Sequence, residues 1–161
     1  APDKQQRGPS MVVFRLWEPD IQRPSEFGRQ IRLLGWDQQP DEPQPGDEIL
    51  LRFYWQPIVP PRDNYSAFLH LTPEDRPAEI LAQRDFSPAG EGRLPLTWQY
   101  PDETLISPPQ TLAIPRDLAP GRYVLRLGLY NYVTGERLPI TTPDGAPPDY
   151  AIVLAFDVAA P

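Results

Sequence analysis

The sequence contains no cysteine, and only one histidine, one lysine and one methionine in 161 residues. Without cysteine there are no disulfides, no thiol nucleophile and no thiolate ligands for a structural zinc ion. The lone histidine, His70, has no second imidazole to complete a metalloenzyme motif. Neither a nucleophile elbow nor a glycine-rich phosphate loop accompanies it. No catalytic residue, metal site or cofactor is therefore expected. Every positive charge except Lys4 is an arginine, and 22 acidic residues leave a net charge of −7. An acidic chain of this kind gains nothing from counterion release, so nucleic acid is not an expected partner. The longest apolar run, Tyr150–Phe156, falls far short of the roughly 18 residues that cross a bilayer, so direct membrane insertion is not expected either. No secretory leader is visible, and the chain begins at Ala1 without an initiator methionine, as a mature or excised part of a longer protein does.

Proline is abundant: 24 of 161 residues, about three times its usual share. Each proline removes a backbone donor and clashes with a preceding helical turn, so this density favours short strands joined by stiff loops. Arginine over lysine together with proline-rich loops fits either a thermophile or a GC-rich genome. A chain of this length makes one domain and can bury a core without staples.

Punctuation along the chain is regular. Residues 1–10 are polar and linker-like, leaving 11–161 as the domain. Strand candidates are Met11–Glu18, Phe27–Asp37 with Gly35 as a bulge, Ile49–Gln56, Tyr65–Thr72, Ile80–Phe86, Thr111–Ile114, Gly121–Asn131 and Ala151–Val158. Ser87–Gln99 is rich in Gly and Pro and poorly patterned. Pro45-Gly46 and Pro120-Gly121 are turns that feed the two best strands. Ile49, Leu51, Phe53 and Trp55 alternate with Leu50, Arg52, Tyr54 and Gln56, and Tyr123, Leu125, Leu127 and Leu129 align in the same way. About eight or nine short strands without a helical period predict an all-β antiparallel β-sandwich, immunoglobulin-like or jelly-roll. The alternation predicts one buried and one solvated face.

Three kinds of chemistry are open. Adjacent loop acids (Asp41 and Glu42, Glu74 and Asp75, Asp102 and Glu103) could supply a glycosidase pair, although such acids are ordinarily solubilising. Asp144, Gly145 and Asp149 share a proline-rich loop of the sort that holds calcium in some sandwiches. The most open is ligand binding. Arg52, Tyr54 and Gln56 on one strand and Arg126 and Tyr130 on another, joined by Phe68 and His70 if the Tyr65 strand is their neighbour, combine aromatic planes with forked donors suited to sugars. Such a carbohydrate site needs Arg52, Tyr54 and Tyr130 exposed along a groove. The same residues also serve as routine cross-strand stabilisers of an outer face, or as a surface for structural assembly. Trp98 and Tyr100 offer a second platform, whereas Trp17, Trp36 and Trp55 are core candidates.

The runs FGRQIRLLGWD (27–37), PGDEILLRFYWQ (45–56), YSAFLHL (65–71) and LAPGRYVLRLGLYN (118–131) with TGERLP (134–139) resemble, in order and spacing, a soluble C-terminal domain. That domain follows the membrane part of bacterial glycosyltransferase family 39-like proteins, relatives of protein O-mannosyltransferases. The resemblance implies a β-sandwich on the extracytoplasmic side, tethered to a lipid-linked-sugar transferase and acting as a non-catalytic accessory domain. Its partners would be a glycan or the membrane part of the parent protein. It carries over no catalytic residue, since the chemistry of such enzymes lies in the membrane part.

Overall fold

A computed structural model describes residues 18–141 and 148–161. The proposed linker 1–10, all of the first strand candidate except Glu18, Trp17, and Asp144 and Gly145 lie outside those residues. The described chain is all β, with one short 3-10 turn at Pro95–Thr97. Its strands are β1 (Ser25–Phe27), β2 (Ile31–Gln39), β3 (Glu48–Pro57), β4 (Tyr65–Pro73), β5 (Ala82–Phe86), β6 (Leu105–Ile106), β7 (Gln110–Ala113), β8 (Gly121–Asn131) and β9 (Ala151–Val158). Two antiparallel sheets form, as expected for a sandwich. In the first, β1, β2 and β3 run in order and β6 and β7 both pair with β3; the second has the order β5-β4-β8-β9. No helix among the described residues is long and apolar enough to cross a membrane.

The alternation builds the core. Ile49, Leu51, Phe53 and Trp55 on β3 face Ala67, Leu69 and Leu71 on β4 and Leu125, Leu127 and Leu129 on β8, and every one of them is fully buried. Phe53 stacks on Phe86 at 5.7 Å, and Phe27 meets Trp55 edge-on at 6.0 Å. The Trp55 Nε1–H donates to the Pro88 carbonyl at 2.9 Å, so its one polar atom is satisfied in the core.

Gly35 is the bulge that its position in a strand predicts. The β2–β3 register shifts between Leu33 and Gly35. A Cβ at Gly35 would lie 2.0 Å from the Ile21 carbonyl oxygen, because Ile21 bridges the neighbouring Trp36. The bulge changes which residues point inward: Ile31 and Leu33 precede it, and Trp36 and Gln38 follow it.

Three expectations need correction. Phe27–Asp37 is not one extended run. Gly28 and Arg29 both have φ of 58°, and the Gln30 N–H closes a tight turn on the Phe27 carbonyl at 3.0 Å. The outer faces are not simply solvated, since Tyr54 on β3 is 1% exposed, and Val124, Arg126 and Gly128 on β8 are buried as well. Trp98 is no platform: it is fully buried, with its Nε1–H on the Arg93 carbonyl at 2.8 Å, while Tyr100 is 71% exposed.

Candidate functional site

The residues singled out as a sheet-face site fall on opposite sides of the molecule. Strand β3 belongs to one sheet and strands β4 and β8 to the other. Arg52, Tyr54 and Gln56 therefore lie on the outer face of the first sheet, and His70, Arg126 and Tyr130 on the outer face of the second. The core, about 10 Å thick, separates them.

On the first face, Asp37 on β2 stands opposite Arg52 on β3. It accepts hydrogen bonds from the Tyr54 hydroxyl at 2.7 Å, from Arg52 Nε at 3.1 Å and Nη2 at 2.9 Å, and from the Asp20 N–H at 2.8 Å. Burial raises the Asp37 pKa, but these donors outweigh it and hold the carboxyl below its ordinary value. Burial, followed by the bond to Asp37, pushes the Tyr54 hydroxyl up to about 12. Gln56 is engaged too: it accepts from Arg32 at 3.1 Å and donates to the Asp102 carbonyl at 3.3 Å. Tyr54 is covered rather than exposed. The face is a closed network that stabilises the sheet.

Because the folded pKa of Asp37 is depressed, its contribution is complete above the unfolded value of about 3.9 and is lost as pH falls through the folded value. Asp37→Asn is expected to cost about 1–2 kcal/mol at pH 7 and to flatten the acid limb of the stability curve in urea unfolding. An unchanged acid limb would contradict this.

On the second face, Phe68 lies 4.5 Å from His70 and beneath the Arg137 guanidinium, which is 4.4 Å from the ring centroid. Arg126 is 5% exposed; it donates to the Thr72 hydroxyl at 3.1 Å and the Glu74 carbonyl at 3.0 Å, and sits 4.4 Å over the Tyr150 ring. Tyr130 donates to Asp85 at 2.9 Å. The segments around Arg137 and Asp149–Tyr150 cover this face. Burial first, then the positive charge of Arg137, lowers the His70 pKa, with Asp85 pulling the other way. Its neutral form is favoured by folding, so stability is complete above about pH 6.5 and declines as pH falls below it. As the only histidine, His70 gives a single imidazole titration by NMR. Its midpoint is expected below 6.5 and nearer 6.5 in Arg137→Gln; a midpoint at or above 6.5 in the wild type would contradict the enclosure of His70 on this face.

Two of the adjacent loop acids, Glu74 and Glu103, are tied into ion pairs, as is Asp149. Glu103 meets Arg93 at 3.0 Å, Glu74 meets Arg122 at 3.1 Å, and Asp149 meets Arg137 at 3.4 Å. Among the described residues no three acids or histidines gather as a metal site.

The most site-like place is at one end of the sandwich, and the sequence did not point to it. Residues 136–141 cross from one sheet to the other there. Arg137 bridges Tyr130 of β8, Ile140 bridges Phe27 of β1, and the Gly28 N–H reaches the Pro139 carbonyl at 2.7 Å. Between this strap, the β1–β2 turn and the start of β4 lies an open cleft of about 560 Å³. Arg29, Arg62 and Arg137 line it, with Gln30, Tyr65 and Thr141 between them. Gln30 is 4% exposed, and its Oε1 accepts from the Arg62 N–H at 2.9 Å and the Tyr65 hydroxyl at 3.0 Å. The backbone donor fixes the amide orientation, since an N–H must meet the oxygen.

Arg29 holds a left-handed conformation that costs a non-glycine residue about 1 kcal/mol. Arg29→Gly is expected to leave thermal stability unchanged or raise it by up to about 1 kcal/mol, whereas a loss would mean that the Arg29 side chain supports the fold.

A comparison with protein-family models and with curated proteins finds no match to this chain.

Proposed function

We propose that this chain is a non-catalytic accessory domain that works on the extracytoplasmic side of a membrane, beside a glycosyltransferase of the family 39-like kind. One observation carries the non-catalytic part. The single imidazole, His70, is packed against Phe68, and among the described residues no hydroxyl or carboxylate is hydrogen-bonded to it, so it has neither the nucleophile nor the orienting group that a base-activated nucleophile needs. The resemblance over Phe27–Pro139 supports the association; its four main segments hold β2, β3, β4 and β8, strands of both sheets. A sheet-face carbohydrate module is not favoured, because its residues are split between two faces and Tyr54 is covered.

The test is sugar transfer by a membrane glycosyltransferase of this kind with and without the domain attached. Transfer is expected to fall severalfold without it, while the isolated domain turns over no glycosyl donor. Unchanged transfer, or turnover by the isolated domain that disappears in His70→Ala, overturns the proposal.

A further inference from the structure

We infer that the end cleft binds an oxyanion, the carboxylate or phosphate of a small ligand. This is independent of which enzyme the domain accompanies. The surface as a whole repels anions, with a net charge of −7. Against that background three arginines, Arg29, Arg62 and Arg137, line one cleft. They come from three separate segments: the β1–β2 turn, the loop before β4, and the strap after β8.

Among the described residues, neither Arg29 nor Arg62 pairs with a carboxylate, although arginines elsewhere on the surface do. Arg137 is shared: it also touches Asp149 at 3.4 Å and covers Phe68. Glu136 borders the same cleft, which leaves the four charged residues at +2. Guanidinium groups present planar forked donors that match carboxylate and phosphate oxygens.

Gln30 adds a neutral donor. Its oxygen is used up by the Arg62 N–H and the Tyr65 hydroxyl, while its Nε2 hydrogens have no acceptor among the described residues. With its oxygen bound and its Nε2 open to solvent at the cleft, the amide presents donors to a ligand that brings the acceptor. Arg29 stands at a left-handed turn position where glycine would sit without strain, so the turn bears a cost to present a guanidinium beside the cleft. The volume lies within the range of small-molecule sites.

The test is calorimetric titration of the whole chain with sodium glucuronate, inorganic phosphate and, as the uncharged control, glucose. At least one anion is expected to bind, more weakly as salt is added, with no heat from glucose. Stronger binding of glucuronate identifies a carboxylate ligand, and stronger binding of phosphate a phosphorylated one. Arg29→Gly, which relieves its turn, and Arg62→Gln are each expected to weaken binding roughly tenfold. Absence of binding by both anions, equal binding of glucose, or wild-type affinity in both variants overturns the inference.

Discussion

Trp55→Ala is expected to cost about 3–5 kcal/mol and to lower the melting temperature by on the order of 10 °C. The indole is fully buried at the centre of the first sheet, against Phe27 at 6.0 Å and Phe53 at 6.2 Å. Truncation removes the transfer free energy of the ring and leaves a cavity. It also orphans the Pro88 carbonyl, which accepts from Trp55 Nε1 at 2.9 Å. The neighbours cannot collapse into the space, because Phe53 is already stacked on Phe86 and the backbone on both sides is fixed by ladder bonds. Trp55→Phe keeps most of the ring and loses the hydrogen bond, so about 1–2 kcal/mol is expected. Urea unfolding of the two variants separates packing from polar satisfaction, and equal losses would contradict this division.

Gly128→Ala is expected to cost about 2–3 kcal/mol, a large effect for one methyl group. An ideal Cβ at Gly128 would lie 2.1 and 2.2 Å from two ring carbons of Phe68 and 2.9 Å from the Asp149 carbonyl oxygen. The ring cannot turn aside freely, since Arg137 lies over it and His70 beside it. Gly92, around which nothing lies within 4 Å, is the control: Gly92→Ala should change stability by less than about 0.5 kcal/mol. If Phe68 is displaced in Gly128→Ala, His70 also loses part of its enclosure, and its pKa should move back towards 6.5. Equal stability of the Gly128 and Gly92 variants would show that the outer face of the second sheet is open.

The strands were legible because alternation is a local property. Ile49–Gln56, Tyr65–Thr72 and Gly121–Asn131 each show which residues share a face, and the structure buries the expected ones. Alternation says nothing about which strands are neighbours. Placing Arg52 and Tyr54 beside Arg126 and Tyr130 required β3 and β8 to lie in one sheet, and they lie in different sheets. Nor does alternation show what covers a face. The signal available for that was Gly128, since a glycine within a strand marks a close approach, here the Phe68 ring and the Asp149 carbonyl. Strand β6 has only two residues and leaves no period to detect. Trp98 resembled a platform because prolines flank it, but the 3-10 turn at Pro95–Thr97 folds it inward.

The end cleft was illegible for a different reason. Arg29, Arg62 and Arg137 lie in three unrelated loops, brought to one end by the bridges of Arg137 to Tyr130 and of Ile140 to Phe27 and by the Arg62 N–H on Gln30. In sequence, Arg29 lies inside a run that reads as a strand. Gly28 beside it was the clue to a turn, since two successive positive φ values make a tight turn there.

The most direct test of the account is an NMR map of backbone amide shifts across the chain during titration with glucuronate or phosphate. Changes are expected at Gln30, Arg62, Tyr65 and Thr141, with Arg52, Tyr54 and Gln56 unmoved. Changes confined to Arg52, Tyr54 and Gln56, or to His70, Arg126 and Tyr130, would place the binding chemistry on a sheet face and contradict the account.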